Sequence, residues 1–482
     1  MVLLVCCAQA EVFDFNPNCR KAYNAIMALR LNEGRALLAQ EEKQNPKNLI
    51  PVYLENYLDF ITVYTTDTRE TYEKLKSNKD LRMEMLRAGE TTSPYYLYCA
   101  AEMNVQWAAI NIKYGEYLAA VFEIKKAYKF LQENQSKFPD FKPNKKTLGV
   151  LQALIGSVPD KYKWGVNMLG MEGSVQQGLN TLNDLIEYGK KNDYIFQQET
   201  VAFYAFLLFN LKDDKEKAWQ VLMQHNFDEK GNLLNAYVCA HIGIYGKHND
   251  EALRILEQRP TDSSYVNFPF LNYLYGLGKL NRLDKDADSY FKLFLATYKG
   301  SNHIKSAYQK IAWGYLLQGD DVNYKHFIAK VGKKGSSSLD ADKQAQLEAD
   351  SKTMPNVNLL RARLLFDGAY YEKASKQMAT LSEQSFTTTE LQTEYLYRTG
   401  RIFHEWNKAD SALIYYAKAI ERGKDLKRYF AANSALETGE IYELRGNKEQ
   451  AKQYYNMCLG FADHEYKTGI DSKAKAGLNR LQ

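Results

Sequence analysis

Proline is scarce in this sequence, since the chain of 482 residues contains only 10. That is about 2%, against a usual frequency of roughly 5%, so long unbroken helices are expected and a collagen-like chain is excluded. Hydrophobic residues make up 45% and charged residues 25%, which excludes a mainly disordered protein. A single core stops growing near roughly 250 to 300 residues, so the chain must form several domains or a repeat array.

Cysteine and histidine are also rare, and neither has the spacing that a metal site requires. The six cysteines, at positions 6, 7, 19, 99, 239 and 458, form no CxxC or Cys/His motif. His241 and His248 are two helical turns apart, but Gly246 between them is expected to end the helix. We therefore predict no metal and no cofactor. Cys239 and Cys458 fall on apolar helical faces, where a thiol is usually buried.

The net charge of +5 is too small to favour binding to nucleic acid. The densest basic stretch has aromatic residues between its lysines, as a surface for a single strand would. We interpret it instead as a solvated helix face followed by a loop around Pro143, and we predict no nucleic acid partner. Its lysines are Lys125, Lys126, Lys129, Lys137, Lys142, Lys145 and Lys146.

The first ten residues are uncharged and end in Ala8-Gln9-Ala10, the small-x-small pattern that signal peptidase accepts. We predict that residues 1–10 are the remnant of a longer signal peptide, and that the protein is exported to the periplasm or cell envelope. The alternative is an apolar N-terminus on a cytoplasmic protein. Elsewhere no apolar run approaches the roughly 18 to 20 residues of a transmembrane segment.

A small residue on one helix, followed by an alanine and bulky residues on the next, recurs through much of the chain. This frame is typical of paired helices that cross closely. The segments are Gly439, Tyr442, Ala451, Tyr455 and Cys458; Gly400, Phe403, Ala412, Tyr416 and Ala419; Ala362, Leu365, Ala374, Met378 and Leu381; Ala240, Gly243, Ala252, Leu256 and Arg259; Phe206, Phe209, Ala218 and Leu222; and Tyr275, Gly278, Ala287, Phe291 and Phe294.

The central alanines of these segments give the length of the repeat. Those at 218, 252 and 287 are 34 and 35 residues apart, and those at 374, 412 and 451 are 38 and 39 apart. The frame resembles the tetratricopeptide repeat (TPR), whose length is about 34 residues. The resemblance implies an all-α fold, a right-handed α-α superhelix in the form of a TPR-like helical-repeat solenoid.

The regularity of this frame divides the chain. We predict irregular N-terminal helical repeats at 11–155, TPR-like repeats at 156–330 and C-terminal TPR-like repeats at 356–482. Between the last two, the repeat spacing grows and the clearest loop begins at Gly332. Residues 331–355 are therefore predicted to be a loop with a short polar helix.

A less generic motif begins at Val158. It contains Pro159, then Leu169-Gly170-Met171-Glu172-Gly173, then Gly178-Leu179. This order resembles the signature of the tetratricopeptide repeat protein 39 family, which includes the inclusion-body clearance proteins. The resemblance implies a helical-repeat adaptor. We expect Pro159 in the first turn of a helix, Gly170 and Gly173 at a helix end, and Gly178 where two helices approach closely.

Motifs of the common enzyme classes are missing, including GxSxG, a P-loop, HExxH and a glycine-rich dinucleotide turn. We therefore predict a non-enzymatic scaffold or adaptor that binds a protein or peptide partner along its concave face. One alternative is an envelope protein that binds a glycan or lipid, favoured by the 36 Tyr and 22 Phe. The other is an all-α hydrolase, which requires paired carboxylates about 5 to 9 Å apart.

The first helix of each pair supplies the concave face of such repeats, so fixed offsets from its small residue give candidate partner-binding residues. Arg401 and Tyr397 are the first choice, because arginine and tyrosine are common interface anchors. We expect Arg401→Glu to weaken partner binding and to leave the melting temperature nearly unchanged. The full set is Tyr397, Arg401, His404, Glu405, Glu440 and Glu443, with Tyr237, His241 and Tyr245.

Overall fold

The computed structural model describes residues 11–225 and 227–481, apart from the side chains of residues 160–162 and 165. The predicted signal-peptide remnant, residues 1–10, lies outside these ranges. Helices dominate the described chain, and its only extended pairings are isolated bridges of Glu11 with Gly89 and of Val12 with Asn48. The predicted all-α helical-repeat fold is confirmed. Within the described ranges, no helix combines the length and apolarity needed to cross a membrane.

The helices follow one another along the chain with short connections. The first fourteen are α1 Pro17–Met27, α2 Leu31–Gln44, α3 Ile50–Thr66, α4 Arg69–Leu75, α5 Asn78–Leu86, α6 Pro94–Lys113, α7 Tyr117–Lys137, α8 Pro143–Gly156, α9 Asp160–Met168, α10 Val175–Gly189, α11 Gln197–Leu211, α12 Lys215–Gln224, α13 Leu233–Tyr245 and α14 Asn249–Gln258. The others are α15 Phe270–Asn281, α16 Ala287–Thr297, α17 Ile304–Leu317, α18 Asp321–Val331, α19 Asp340–Ser351, α20 Val357–Asp367, α21 Tyr371–Ala379, α22 Thr389–Glu405, α23 Ala409–Gly423, α24 Phe430–Leu444, α25 Lys448–Gly460 and α26 Lys467–Arg480. A short 3-10 helix covers Glu383–Ser385.

Two compact units make up the chain. Unit 1 consists of Met1–Tyr275, Tyr290–Ala307 and Gly335–Asp342. Unit 2 consists of Gly276–Ser289, Tyr308–Lys334 and Lys343–Gln482.

Side-chain caps set where several helices begin. The Asn16 side chain accepts hydrogen bonds from the backbone N–H groups of the first turn of α1, and Pro17 follows it. Ser174 caps α10 by accepting from the N–H of Gln177 at 3.1 Å, and Asn232 caps α13 in the same way. Each cap satisfies backbone donors that the helix itself leaves unpaired.

The TPR-like frame is confirmed by the packing of helix pairs in unit 2. A β-carbon added at Gly400 on α22 would lie 2.6 Å from Cδ1 of Tyr416 on α23. A β-carbon at Gly439 on α24 would lie 2.7 Å from the same atom of Tyr455 on α25. Both tyrosines are fully buried. Only glycine leaves room for the second-helix tyrosine at these crossings, which is why the two small positions recur at one offset.

The central alanines of the repeats are all buried, as the frame predicts. Their exposed fractions are 0% for Ala218, Ala252, Ala374, Ala412 and Ala451 and 1% for Ala287. Cys239 and Cys458 are also fully buried, so the expectation for these thiols is confirmed. A small side chain at a helix crossing lets the two backbones approach and excludes water from the seam.

Gly170 and Gly178 of the motif that begins at Val158 take the expected roles, whereas Pro159 precedes α9 and Gly173 lies in the loop between α9 and α10. Helix α9 starts directly after Pro159, and Gly170 follows its end with a φ of +70°, which favours glycine. A β-carbon at Gly178 on α10 would lie 2.3 Å from the carbonyl oxygen of Gly149 on α8. Gly178 therefore permits a close helix approach in unit 1, as expected.

Candidate functional site

Unit 1 contains a cavity of about 1560 Å³. Residues of α1, α3, α6, α8, α11 and α13 form most of its wall. Four of these, α1, α6, α11 and α13, are the first helix of a packed pair, with α2, α7, α12 and α14 as their second helices. The cavity is larger than the roughly 300 to 1,000 Å³ of a typical small-molecule pocket.

Aromatic and aliphatic side chains cover most of this wall. The aromatic residues are Tyr23, Tyr57, Phe60, Tyr64, Tyr114, Tyr117, Phe203, Phe206, Tyr237, Phe268, Phe270 and Tyr298. They come from helices and loops that are far apart in sequence, between Tyr23 and Tyr298. Covering such a surface with an apolar group is favourable, and the free energy gained is about 25 cal/mol for each Å² of apolar area that is buried.

A buried group of charged and tyrosine side chains borders the cavity, and we call Lys146, Glu102, Glu199, Tyr57 and Tyr23 the Lys146 cluster. Lys146 Nζ lies 2.9 Å from Glu102 Oε2 and 2.7 Å from Glu199 Oε2. Tyr57 OH is 2.9 Å from Glu199 Oε1, and Tyr23 OH donates to Glu199 Oε2 at 2.9 Å. Lys146 is fully buried, so its interpretation as part of a solvated helix face is wrong.

Burial and mutual attraction set the charges of the Lys146 cluster. Burial disfavours the Lys146 ammonium, but the two carboxylates outweigh that effect and raise its pKa. Burial also raises the pKa of Glu102, although Lys146 opposes the shift. The pKa values of Tyr23 and Tyr57 are raised by burial and by Glu199. Lys146 is therefore charged at neutral pH, and both tyrosines remain hydrogen-bond donors.

The cluster bears on the hydrolase alternative, because Glu102 and Glu199 contact the same Lys146 nitrogen. Their Oε2 atoms lie 2.9 and 2.7 Å from that nitrogen and are therefore no more than about 6 Å apart, near the lower end of the roughly 5 to 9 Å between paired catalytic carboxylates. In such a pair one carboxyl must protonate the leaving group and the other must reach the substrate or a water. Here Lys146 lies between them, and Thr147 also bonds to Glu102. The arrangement stabilises a buried cation and leaves no carboxyl free for that chemistry.

A second polar group borders the cavity at Asp67. This residue ends α3 with a φ of +54°. Its Oδ1 accepts from Lys113 Nζ at 2.9 Å, and its Oδ2 accepts from Asn302 Nδ2 at 3.2 Å and from the Tyr298 hydroxyl. Burial and the Asp67 charge raise the pKa of Tyr298, which keeps its proton. Charge on this side of the cavity is thus paired within the protein.

One of the buried wall groups without a partner is on Gln106, and the hydrogen bonds around it fix which of its amide atoms is the donor. The indole N–H of Trp107 can only donate, and it donates to Asn56 Oδ1 at 2.8 Å. The Asn56 amide N–H therefore points to Gln106 Oε1, at 2.5 Å. This order leaves Nε2 of Gln106 without a partner among the described residues. Gln106 is 6% exposed and lines the cavity.

Several apolar lining residues are also exposed to solvent and mark the mouth of the cavity. Tyr117 is 66% exposed and Ile112 49%, and both flank the turn between α6 and α7. Tyr64 is 43% exposed and Leu154 42%. A ligand can reach the aromatic wall through this opening. Within the described ranges, no group of three or more His, Cys, Asp or Glu is placed to hold a metal ion.

Three predicted partner-binding residues lie on α13 in unit 1. Tyr237 lines the cavity. One turn further, the His241 ring packs against Phe206 and Tyr245 with centroids 5.8 and 5.0 Å away. Burial lowers the pKa of His241 to about 4, so its ring is neutral at physiological pH. Of these three residues, Tyr237 is the one that lines the cavity.

The predicted residues on α22 in unit 2 converge on Glu437, which the sequence analysis missed. Arg401 forms an ion pair with Glu437, and His404 Nδ1 lies 3.0 Å from the same carboxylate. Tyr397 is buried, at 6% exposed, and its hydroxyl accepts from an asparagine of α24. Glu405 lies 3.4 Å from Arg401. Glu437 falls two residues before Gly439, an offset outside the frame that was used to choose candidates.

The last two predicted residues lie on α24. Glu443 accepts from Tyr455 OH at 2.5 Å and from Arg480 Nε at 2.7 Å. Burial, together with the neighbouring charge of Glu437, raises the pKa of Glu440 to about 7. Most residues chosen as partner contacts in unit 2 thus pair within the chain, and their partner binding stays a prediction.

No protein-family model matches the sequence, and no curated protein matches it significantly. Human IFIT1, solved as a dimer with m7Gppp-AAAA, is 12% identical, with 94% of this chain and 97% of that chain covered and a TM-score of 0.29. Yeast Tom70 is 13% identical, with 91% and 96% covered and a TM-score of 0.24.

A third similar structure is that of Naa15/Naa10 bound to HypK-THB. It is 14% identical, with 96% of this chain covered and a TM-score of 0.25. This chain spans 66% of the matched chain there, slightly less than two thirds. At such scores these proteins bear on no functional argument, and the TPR-like character of this chain rests on its own helix packing.

Proposed function

We propose that this chain is a non-enzymatic helical-repeat scaffold, and that a protein partner inserts an apolar segment into the cavity of unit 1. The observation that carries the proposal is the cavity itself, about 1560 Å³, with aromatic residues along its wall. Concave apolar sites on rigid elements favour binding, because little side-chain freedom is lost when they are covered.

The polar groups of the wall favour one form for the inserted segment. Charges on both sides of the cavity, at Glu199 and at Asp67, are already bonded to other protein groups. An extended peptide would bring backbone N–H and C=O groups that find few partners there, at a cost of about 1 to 3 kcal/mol each. A helix satisfies its own backbone and presents only side chains. The expected partner segment is therefore an amphipathic helix.

A lipid is the second candidate ligand, and the aromatic and aliphatic side chains of the wall favour it. A long acyl chain has no backbone to satisfy, and its single polar end can accept from Gln106 Nε2. A glycan, the other non-protein ligand considered, carries many hydroxyl groups and suits this wall less well. Export to the cell envelope and the resemblance to the tetratricopeptide repeat protein 39 family remain predictions.

The test is a substitution that fills part of the cavity, followed by measurement of the bound molecules that the variant no longer retains. Ala202 on α11 lines the cavity, so Ala202→Phe places a ring inside it. Ala417 on α23 is exposed, and Ala417→Phe is the matched control. Each tagged protein is recovered from its own cells after mild cross-linking, and mass spectrometry quantifies the proteins and lipids that accompany it.

The proposal expects one protein that wild type and Ala417→Phe retain and that Ala202→Phe loses at least about tenfold. The cross-links should join it to the lining helices. If Ala202→Phe instead loses a lipid that wild type and Ala417→Phe retain, the cavity binds a lipid and not a protein partner. If Ala202→Phe retains every companion of the wild type, the cavity is not the binding site.

A further inference from the structure

Helix α7 carries an apolar surface that no other described residue covers. Tyr117 is 66% exposed, Leu118 80%, Val121 41% and Phe122 60%. The opposite face of the helix, including Ala120 and Ala127, is buried against the protein. A surface helix normally turns its apolar residues inward, so four large apolar side chains on the outer face mark an interaction surface.

Lysines continue this surface along the same helix. Leu118, Phe122, Lys125 and Lys129 follow one another at intervals of four, three and four residues, which places them on one face. Lys125 and Lys129 are exposed, and neither forms an ion pair with a described residue. We call Tyr117, Leu118, Val121, Phe122, Lys125 and Lys129 the α7 stripe.

The acidic residues next to the α7 stripe do not cancel its charge. Glu116 lies 3.0 Å from Arg69. Glu123 is bonded to Lys79, and Lys126 lies 3.8 Å from it. Both carboxylates are thus neutralised by cations of unit 1, and the stripe presents positive charge beside apolar groups. A partner surface that is complementary to the α7 stripe is anionic and also accepts apolar side chains.

From these observations we infer that the α7 stripe docks on a lipid surface that contains anionic headgroups. Seven residues separate Leu118 from Lys125, which is about 10 Å along a helix. Interfacial helices bury their apolar side chains about 5 to 10 Å below the headgroups. A tilted α7 that inserts Leu118 to this depth leaves Lys125 and Lys129 at the headgroups, where each lysine contributes about fivefold in affinity.

The order of apolar and basic residues along the α7 stripe favours a membrane over an acidic protein surface as its partner. A protein interface places its charges around an apolar centre, whereas the α7 stripe is apolar at one end and basic at the other. The inference goes beyond the proposed function, because it concerns an outer surface and holds whatever fills the cavity. It has one consequence for the cavity: Tyr117 belongs to both, so docking brings the mouth to the membrane surface.

The experiment is co-sedimentation of the full chain with vesicles of phosphatidylcholine, with or without phosphatidylserine. The apolar variant is Leu118→Ser with Phe122→Ser, and the basic variant is Lys125→Ala with Lys129→Ala. The control is Leu444→Ser, because Leu444 on α24 is 85% exposed and lies outside the stripe. All substituted side chains are exposed, so circular dichroism should show unchanged helix content.

The wild type and Leu444→Ser should bind the vesicles that contain phosphatidylserine, and added salt should weaken this binding. The apolar variant should lose at least about tenfold in affinity for each buried side chain removed. The basic variant should lose about 25-fold. Equal binding to pure phosphatidylcholine, unchanged binding by both variants, or stripe-dependent binding to an acidic protein or RNA without vesicle binding would each overturn the inference.

Discussion

Replacing Lys146 by methionine tests whether the buried cluster stabilises unit 1. The change keeps most of the side-chain volume and removes the charge that lies 2.9 Å from Glu102 and 2.7 Å from Glu199. Two buried carboxylates would then face each other without their shared cation. Removing one partner of a buried ion pair typically costs about 3 to 5 kcal/mol. We expect Lys146→Met to lower the free energy of unfolding by this amount at neutral pH.

The assay is urea unfolding of the full chain, followed by far-ultraviolet circular dichroism. The matched control is Lys145→Met, because Lys145 is adjacent, is only half-buried and has no ion pair with a described residue. Its substitution should change stability by less than about 0.5 kcal/mol. Equal losses for the two variants would refute the reasoning, since only Lys146 contacts the carboxylates.

The dependence on pH gives an independent check. In Lys146→Met, burial and the neighbouring Glu199 raise the folded-state pKa of Glu102 above its unfolded value, without the opposing effect of Lys146. Groups shifted in this direction favour folding below the unfolded pKa, and that contribution is lost as the pH rises through the folded pKa. The deficit of the variant should therefore grow between about pH 4 and 7. A deficit that is constant over this range would show that lost packing, not charge, causes it.

Two further predictions concern unit 2. Arg401→Glu should destabilise the protein by about 3 kcal/mol, because it places a second negative charge beside Glu437 in a mostly buried pair. The structure therefore contradicts the expectation that this substitution leaves the melting temperature nearly unchanged. The control is Arg445→Glu, which breaks the exposed ion pair with Asp410 and should cost less than about 1 kcal/mol. Equal shifts of the melting temperature for the two variants would contradict the prediction for Arg401. The folded-state pKa of Glu440, about 7 against an ordinary 4.5, means that stability falls as the pH rises between these values. Urea unfolding at several pH values should show this slope in the wild type and not in Glu440→Gln, and identical slopes would exclude Glu440 as its source.

The repeat frame was readable from the sequence because it depends on local spacing. Gly400 and Tyr416 lie on consecutive helices, and their separation recurs at Gly439 and Tyr455. A crossing of two neighbouring helices requires a small residue at one place and a bulky one at another. That requirement leaves a periodic trace in a single sequence.

The cavity left no such trace. Lys146 is 44 residues from Glu102 and 53 from Glu199, and no spacing rule connects them. In sequence Lys146 looks like one more lysine in a basic stretch, and only the packing of three helices shows that it is buried. Glu437 was missed for a related reason, because its partner Arg401 lies on the first helix of the preceding pair. Contacts between pairs depend on how the pairs stack, which the frame within a pair does not encode.

The Lys146 cluster also bears on how unit 1 folds. In an ideal repeat array each pair touches only its neighbours, so stability is a sum of local terms and unfolding can begin at an end. Tyr23 on α1 and Glu199 on α11 are 176 residues apart and share a hydrogen bond, while Tyr57 and Lys146 join α3 and α8 to the same carboxylate. Losing any one of these helices leaves buried charge unpaired. Unit 1 should therefore lose its amide hydrogen-exchange protection from α1 to α11 in one cooperative step, where a simple solenoid would fray pair by pair.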